Sequence, residues 1–97
     1  MSNAFNVIAT LIAKPGQQDT LEKLLREILE PTRVEPGCEQ YDLHQDLQHP
    51  ETFYMLERWS DDAALADHDQ SAHIQNFRAK AAEVIEHFDL KRLKFLA

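Results

Sequence analysis

The chain has 97 residues, 43% of them hydrophobic, and its 10 Lys and Arg against 17 Asp and Glu leave a formal charge of −7. That balance argues against nucleic acid, whose phosphates need clustered Lys and Arg, and gives no support for docking on an anionic membrane. The single Cys38 excludes an intrachain disulfide framework and fits a reducing compartment. No apolar run approaches the roughly 20 residues of a membrane span, and Met1–Phe5 lacks the basic and apolar regions of a signal peptide. A cytoplasmic protein is expected, with one domain over residues 1–97. A domain of this size buries only roughly 60–65% of the surface its unfolded chain exposes, so a lone copy is expected to be modestly stable.

The first strand is expected from Asn6 to Ala13, with Val7, Ala9 and Leu11 pointing one way and Ile8, Thr10 and Ile12 the other. Lys14-Pro15-Gly16 breaks it. Asp19 with Glu22 reads as a capping box, and Leu21, Leu24, Leu25, Ile28 and Leu29 follow at the spacing of one helical face. Pro31 and Pro36-Gly37 bracket the exit from that helix. A second strand is expected over Gln40 to Asp46 and a third over Thr52 to Trp59, joined by a turn at His49-Pro50-Glu51. Ser60 is the candidate N-cap of a short helix ending near His68, with Asp61 and Asp62 favouring its dipole. A longer helix is expected from Ser71 to Phe88, with Ile74, Phe77, Ala81, Ile85 and Phe88 as its apolar stripe. The last strand is expected over Leu90 to Leu96.

This β-α-β-β-α-β order predicts an α+β, ferredoxin-like fold. The first and third strands are apolar on both faces, which suits the middle of a sheet. The second and fourth carry Asp42, His44, Lys91, Arg92 and Lys94, which suits edges. The predicted sheet order is therefore 4-1-3-2. Two helices cover one face of such a sheet. The apolar residues on the other face predict packing against a second copy, as a homodimer.

Lys14-Pro15-Gly16, Glu35-Pro36-Gly37-Cys38 with Tyr41, Pro50, Glu57-Arg58-Trp59, Ala64-Leu65 with His68, and Ser71, His73 and Phe77 together resemble the antibiotic biosynthesis monooxygenase family. The resemblance runs from about Val7 to Phe95. It implies a dimeric α+β barrel, two ferredoxin-like sheets facing each other, and it agrees with the dimer argued from strand composition. Members include cofactor-free oxygenases of quinols and aromatic polyketides, haem-degrading enzymes and an isomerase-like enzyme, so the family alone does not fix the reaction. The haem-degrading pattern calls for Asn, Trp and His where this chain has Ile8, His68 and Arg78, which argues against haem.

The resemblance therefore implies a cofactor-independent monooxygenase acting on a quinol or related aromatic, with molecular oxygen as co-substrate. Triplet oxygen reacts slowly with closed-shell molecules, so such an enzyme must make its substrate electron-rich by removing a proton. It needs a base, an apolar pocket and donors for the resulting anion. His68 is the expected base, since imidazole titrates near neutral pH. Asn6 is expected to hold a substrate oxygen as the second catalytic residue. Tyr41 and Tyr54 would orient a quinol oxygen, and Trp59 and Phe77 would shape the cavity. Glu57 and Arg78 are also expected among the substrate-binding residues, with Glu57 either a further base or the partner of a cation such as Arg78 or Arg58. No metal is expected: His73 lies five residues after His68, outside the i, i+4 spacing of a helical pair. Cys38 reads as a small buried residue rather than a nucleophile. The alternative functions, using the same pocket, are a non-catalytic small-molecule binding or detoxification module and an oxygen-independent isomerase.

Overall fold

The computed structural model describes residues 3–97. Met1 and Ser2, part of the segment weighed as a leader, lie outside the described residues. β1 (Phe5–Ala13) alternates as its sequence dictates: Val7, Ala9, Leu11 and Ala13 are buried, while Asn6, Ile8, Thr10 and Ile12 are only partly covered. It pairs antiparallel with β3 (Thr52–Trp59) on one side and with β4 (Ile85–Leu93) on the other. β2 (Cys38–Gln45) pairs antiparallel with β3 and completes the four-stranded order β2-β3-β1-β4. This is the predicted order and the α+β ferredoxin-like fold. No helix among the described residues is long and apolar enough to cross a membrane.

Three local details differ from the sequence reading. α1 (Gln18–Glu27) starts after Gln17 with no side-chain cap, so Asp19 and Glu22 form no capping box; Asp19 instead lies in the first turn, where its charge favours the helix dipole. The chain then re-forms a five-residue helix, α2 (Leu29–Arg33). Pro31 is tolerated there because nitrogens in a first turn have no intrahelical partner to lose. α3 (Asp62–Asp69) is capped by Asp61, whose Oδ1 accepts from the Ala64 amide at 2.9 Å, rather than by Ser60.

The largest correction concerns the second long helix. α4 (Ala72–Ala81) ends seven residues before Phe88, and Ile85–Leu93 form a strand that starts before the expected Leu90. Ile85 and Phe88 do continue the helical spacing of Ile74, Phe77 and Ala81. Ladder pairing outweighs that periodicity: His87 faces Ile12 and Phe88 faces Leu11, so the free edge of β1 is satisfied. The Lys14 amide donates to the Val84 carbonyl at 2.8 Å and fixes where the strand begins.

All four helices lie on one face of the sheet. There Val7, Phe53, Met55 and Trp59 meet Leu21 and Leu25, each at most 1% exposed. Full burial of such side chains contributes roughly 1.5–3 kcal/mol apiece. The opposite face carries Asn6, Ile8, Thr10, Ile12, Tyr54, Leu56 and Arg58, and among the described residues no helix covers it.

One glycine controls how the loop before β2 meets α3. Gly37 has φ +88°, and a Cβ there would come within 2.6 Å of both Ala64 Cβ and Ser60 Oγ. Its carbonyl accepts from the Ser60 amide at 2.8 Å, which locks this close approach. Gly37→Ala is expected to lower stability by about 2 kcal/mol or more. Gly16, at φ +78° with nothing within 4 Å of where a methyl group would stand, serves as the control for backbone strain alone. Urea midpoints for the two alanine variants check this; equal losses would mean that the contact with α3 does not matter.

Candidate active site

Between the helices and the inner face of the sheet lies a cavity of about 320 Å³. Ala9, Leu11 and Met55 form its floor, Leu25, Ile28 and Leu65 its roof, and Ile74 and Phe77 of α4 a side wall. Phe88 and Leu90 of β4 close the far side, and both remain partly exposed. Its polar lining comes from Tyr41, Glu57, His68, Asp69 and Arg78.

His68 projects from the last turn of α3 and is 6% exposed. Its ring packs edge-on to Tyr41 at 5.4 Å between centroids and lies tilted against Trp59 at 4.7 Å. Nδ1 lies 2.8 Å from Glu35 Oε2. A carboxylate there favours the tautomer with the proton on Nδ1, and this leaves the Nε2 lone pair as an acceptor. Burial holds the His68 pKa below the ordinary imidazole value, against an upward pull from Glu35. A neutral ring with one fixed tautomer is what a general base requires.

Glu57 is 5% exposed, and its Oε1 accepts from Trp59 Nε1 at 2.8 Å. Neither expected cation reaches it. Arg58 lies on the other face and donates to Glu39 Oε1 at 2.8 Å, while Arg78 Nη2 donates to Asp69 Oδ1 at 2.6 Å at the cavity rim. Burial therefore pushes the Glu57 carboxyl up to about 7, with Asp69 and Glu35 adding to the rise and the Trp59 bond opposing it. Burial likewise pushes the Tyr41 hydroxyl well above its ordinary value, so Tyr41 is a donor rather than a base. Cys38 is half-buried, and its thiol is pushed up to about 11 by burial and then by Glu35 and Glu57, which makes it a poor nucleophile.

The structure brings together His68, Phe77, Tyr41, Glu57 and Arg78 around one cavity. Trp59 stands behind that cavity, fully buried against the His68 ring and bonded to Glu57. Asn6 and Tyr54 are not brought together with His68. Asn6 Oδ1 accepts from Arg58 Nη1 at 3.4 Å and the Tyr54 hydroxyl donates to Asp46 Oδ2 at 2.8 Å, both contacts belonging to the uncovered face. The reason is the two-residue period of a strand, which sends Asn6 opposite to Val7 and Tyr54 opposite to Met55.

Two residues without an assigned role in the sequence reading join His68. Glu35, in the loop before β2, and His73, in the first turn of α4, meet through one oxygen: His73 Nε2 lies 2.9 Å from Glu35 Oε2. Glu35 belongs to the Glu35-Pro36-Gly37-Cys38 quartet, whose tight turn was the available signal. The five-residue gap between His68 and His73 hides their proximity, because the turn between α3 and α4 brings the rings to 6.1 Å. Glu35, His68 and His73 are also the group among the described residues whose candidate ligand atoms all lie within 4.8 Å. The 2.8 and 2.9 Å separations are hydrogen-bond lengths. They are shorter than the ~3.3 Å between ligand atoms on a tetrahedral zinc with bonds of about 2.0–2.1 Å. We read the cluster as a hydrogen-bonded network.

Glu57 makes stability depend on pH. Its folded pKa, about 7, is above the ordinary value of 4.5, so folding favours the protonated form. Stability contributed by that preference is lost as pH rises from the lower value through the higher one. Glu57→Gln keeps an acceptor for Trp59 and cannot ionise. It is expected to exceed the parent in stability by about 3 kcal/mol at about pH 8 and to differ little at about pH 4. Urea melts at the two pH values check this; an equal difference at both would exclude ionisation as the cause.

The family model for antibiotic biosynthesis monooxygenase matches residues 4–80. A Bacillus subtilis (strain 168) protein named "Putative monooxygenase YcnE" is 35% identical over 77 residues, 79% of this chain and 81% of that protein. The crystal structure of PA3566 from Pseudomonas aeruginosa is 41% identical, with a TM-score of 0.95 over 100% of this chain and 98% of that one. Rv0793 from Mycobacterium tuberculosis is 30% identical, with a TM-score of 0.90 over 97% of this chain and 96% of that one. With most of its length matched by the family model and its fold shared with these relatives, the chain belongs to the antibiotic biosynthesis monooxygenase family.

Proposed function

We propose that the protein is a cofactor-independent monooxygenase of a quinol or a related hydroxylated aromatic. The observation that carries this reading is the His68 imidazole, held by Glu35 and packed against Trp59, on the wall of a cavity of about 320 Å³ that is otherwise mostly apolar. His68 Nε2 takes the phenolic proton, and the aryloxide so formed is electron-rich enough to reduce oxygen. One oxygen atom enters the ring, the other leaves as water, and the quinol itself supplies all four electrons that reduce oxygen as it becomes a hydroxyquinone. Glu57 in its protonated form and the Tyr41 hydroxyl donate hydrogen bonds to substrate oxygens, and Phe77 packs against the ring. Arg78, tied to Asp69, borders the rim.

Oxygen uptake with a panel of quinols and hydroxylated polycyclic aromatics tests this directly. Uptake above the uncatalysed rate is expected, falling by roughly 10²–10⁴-fold in His68→Ala. Equal conversion of substrate under air and under nitrogen would instead mean isomerisation, and ligand binding without conversion would mean a binding module.

The same reading includes a homodimer formed through the uncovered sheet face, where Ile8, Ile12 and Leu56 lie together. Asn6 and Tyr54 belong to this interface rather than to the cavity. Sedimentation equilibrium is expected to give twice the 11.2 kDa of one chain. Leu56→Asp, which places a charge in the middle of that face, is expected to give a single chain; a monomeric parent would sink the dimer.

A further inference from the structure

The cavity-facing nitrogen of His68 is only as basic as the support given to its other nitrogen. That support is one carboxylate oxygen, and the oxygen is shared. Glu35 Oε2 lies 2.8 Å from His68 Nδ1 and 2.9 Å from His73 Nε2. Thr32 Oγ1 at 3.1 Å and Ser71 Oγ at 3.4 Å also lie around the same His73 Nε2, and compete with Glu35 for its one hydrogen-bonding position. Ser71 Oγ also donates to the His68 carbonyl at 2.7 Å, so the two histidines are tied through the turn as well as through Glu35. The His68 side chain is 7% exposed, that of Glu35 14% and that of His73 23%. The cluster thus runs from the cavity outward, with His73 at its wettest end.

We infer that His73 is a positioning residue for His68: by sharing Glu35 Oε2 it sets how strongly that carboxylate supports the base in the cavity. The Glu35 carboxylate favours the protonated state of His68, and beside a neutral His73 nothing at that oxygen opposes it. When His73 gains a proton, a positive charge stands beside the same oxygen, and the support for His68 weakens. The two imidazoles also repel each other directly when both are charged, at 6.1 Å between centroids. The groups facing His68 are Glu35 from the loop, Tyr41 from β2, Glu57 from β3, Asp69 on its own helix, and His73 from α4; Arg78, also on α4, is held by Asp69. Glu57 changes charge near neutral pH as well, so the test removes it. The consequence for catalysis rests on the reading of His68 as base; the coupling itself does not.

The experiment is an NMR titration of the protein labelled with ¹⁵N-histidine, over about pH 5 to 9, following the His68 ring nitrogens. In Glu57→Gln, the His68 curve is expected to show a second inflection at the midpoint of His73. Adding His73→Gln, which keeps a donor for Glu35 but cannot be charged, is expected to remove that inflection and raise the His68 midpoint by about half a pH unit or more. Glu35→Gln is expected to lower the midpoint and uncouple the rings. A His68 curve with no inflection at the His73 midpoint overturns the inference, even if the His73→Gln protein fails to fold. So does a midpoint unchanged by a folded His73→Gln, because a merely structural role would leave the titration in place. No substrate is used, so absence of quinol turnover would count against the oxygenase reading and leave this result standing.

Discussion

Pairing of β1 with β3 on one side and β4 on the other leaves no free backbone edge along the strand, so the direction of each of its side chains is locked. A slip by one residue would send Val7, Ala9 and Leu11 to the uncovered face and expose their burial partners. From this one constraint the molecule acquires two unlike faces. One is packed by helices and holds the cavity; the other is broad, mixed in character and open.

The cavity's chemistry is assembled from elements distant in sequence, and backbone contacts decide its geometry. Gly37 lets the loop before β2 lie directly against the start of α3, which sets Glu35 beside a histidine 33 residues later. Trp59 fills the space behind His68 and Glu57: its ring packs against His68 and its indole N–H occupies one oxygen of Glu57. Low exposure does the remaining work, because it shifts His68 and Glu57 in opposite directions, each toward its uncharged form.

Much of the fold was legible in the sequence because hydrophobic period and charge report on burial. β3 was read with its observed limits, and the charged edges gave the sheet order. The end of α4 was not legible: Ile85 and Phe88, three residues apart, keep the helical spacing, and only a bulge between Ile85 and His87 turns both toward the same face of the sheet. In the site, the differences between expectation and placement have one physical origin. Asn6 and Tyr54 were grouped with His68 on chemical suitability, although strand alternation already placed Asn6 opposite to Val7. Glu35 and His73 were hidden for the converse reason, since contact through a turn and a loop leaves no periodic trace.

The early end of α4 has a consequence for the cavity. Residues that would have formed a rigid helical wall are instead spent on an outer strand, so Phe88 and Leu90 line the cavity while remaining 54% and 38% exposed. β4 has a ladder partner on one side only, and among the described residues its main contacts are with β1. Phe77 and Met55 on the opposite walls are buried. The cavity therefore combines a closely packed end around His68 with a more open end at β4. Under the proposed function, such a division favours tolerance toward ligands that share one hydroxyl but differ in the bulk beyond it.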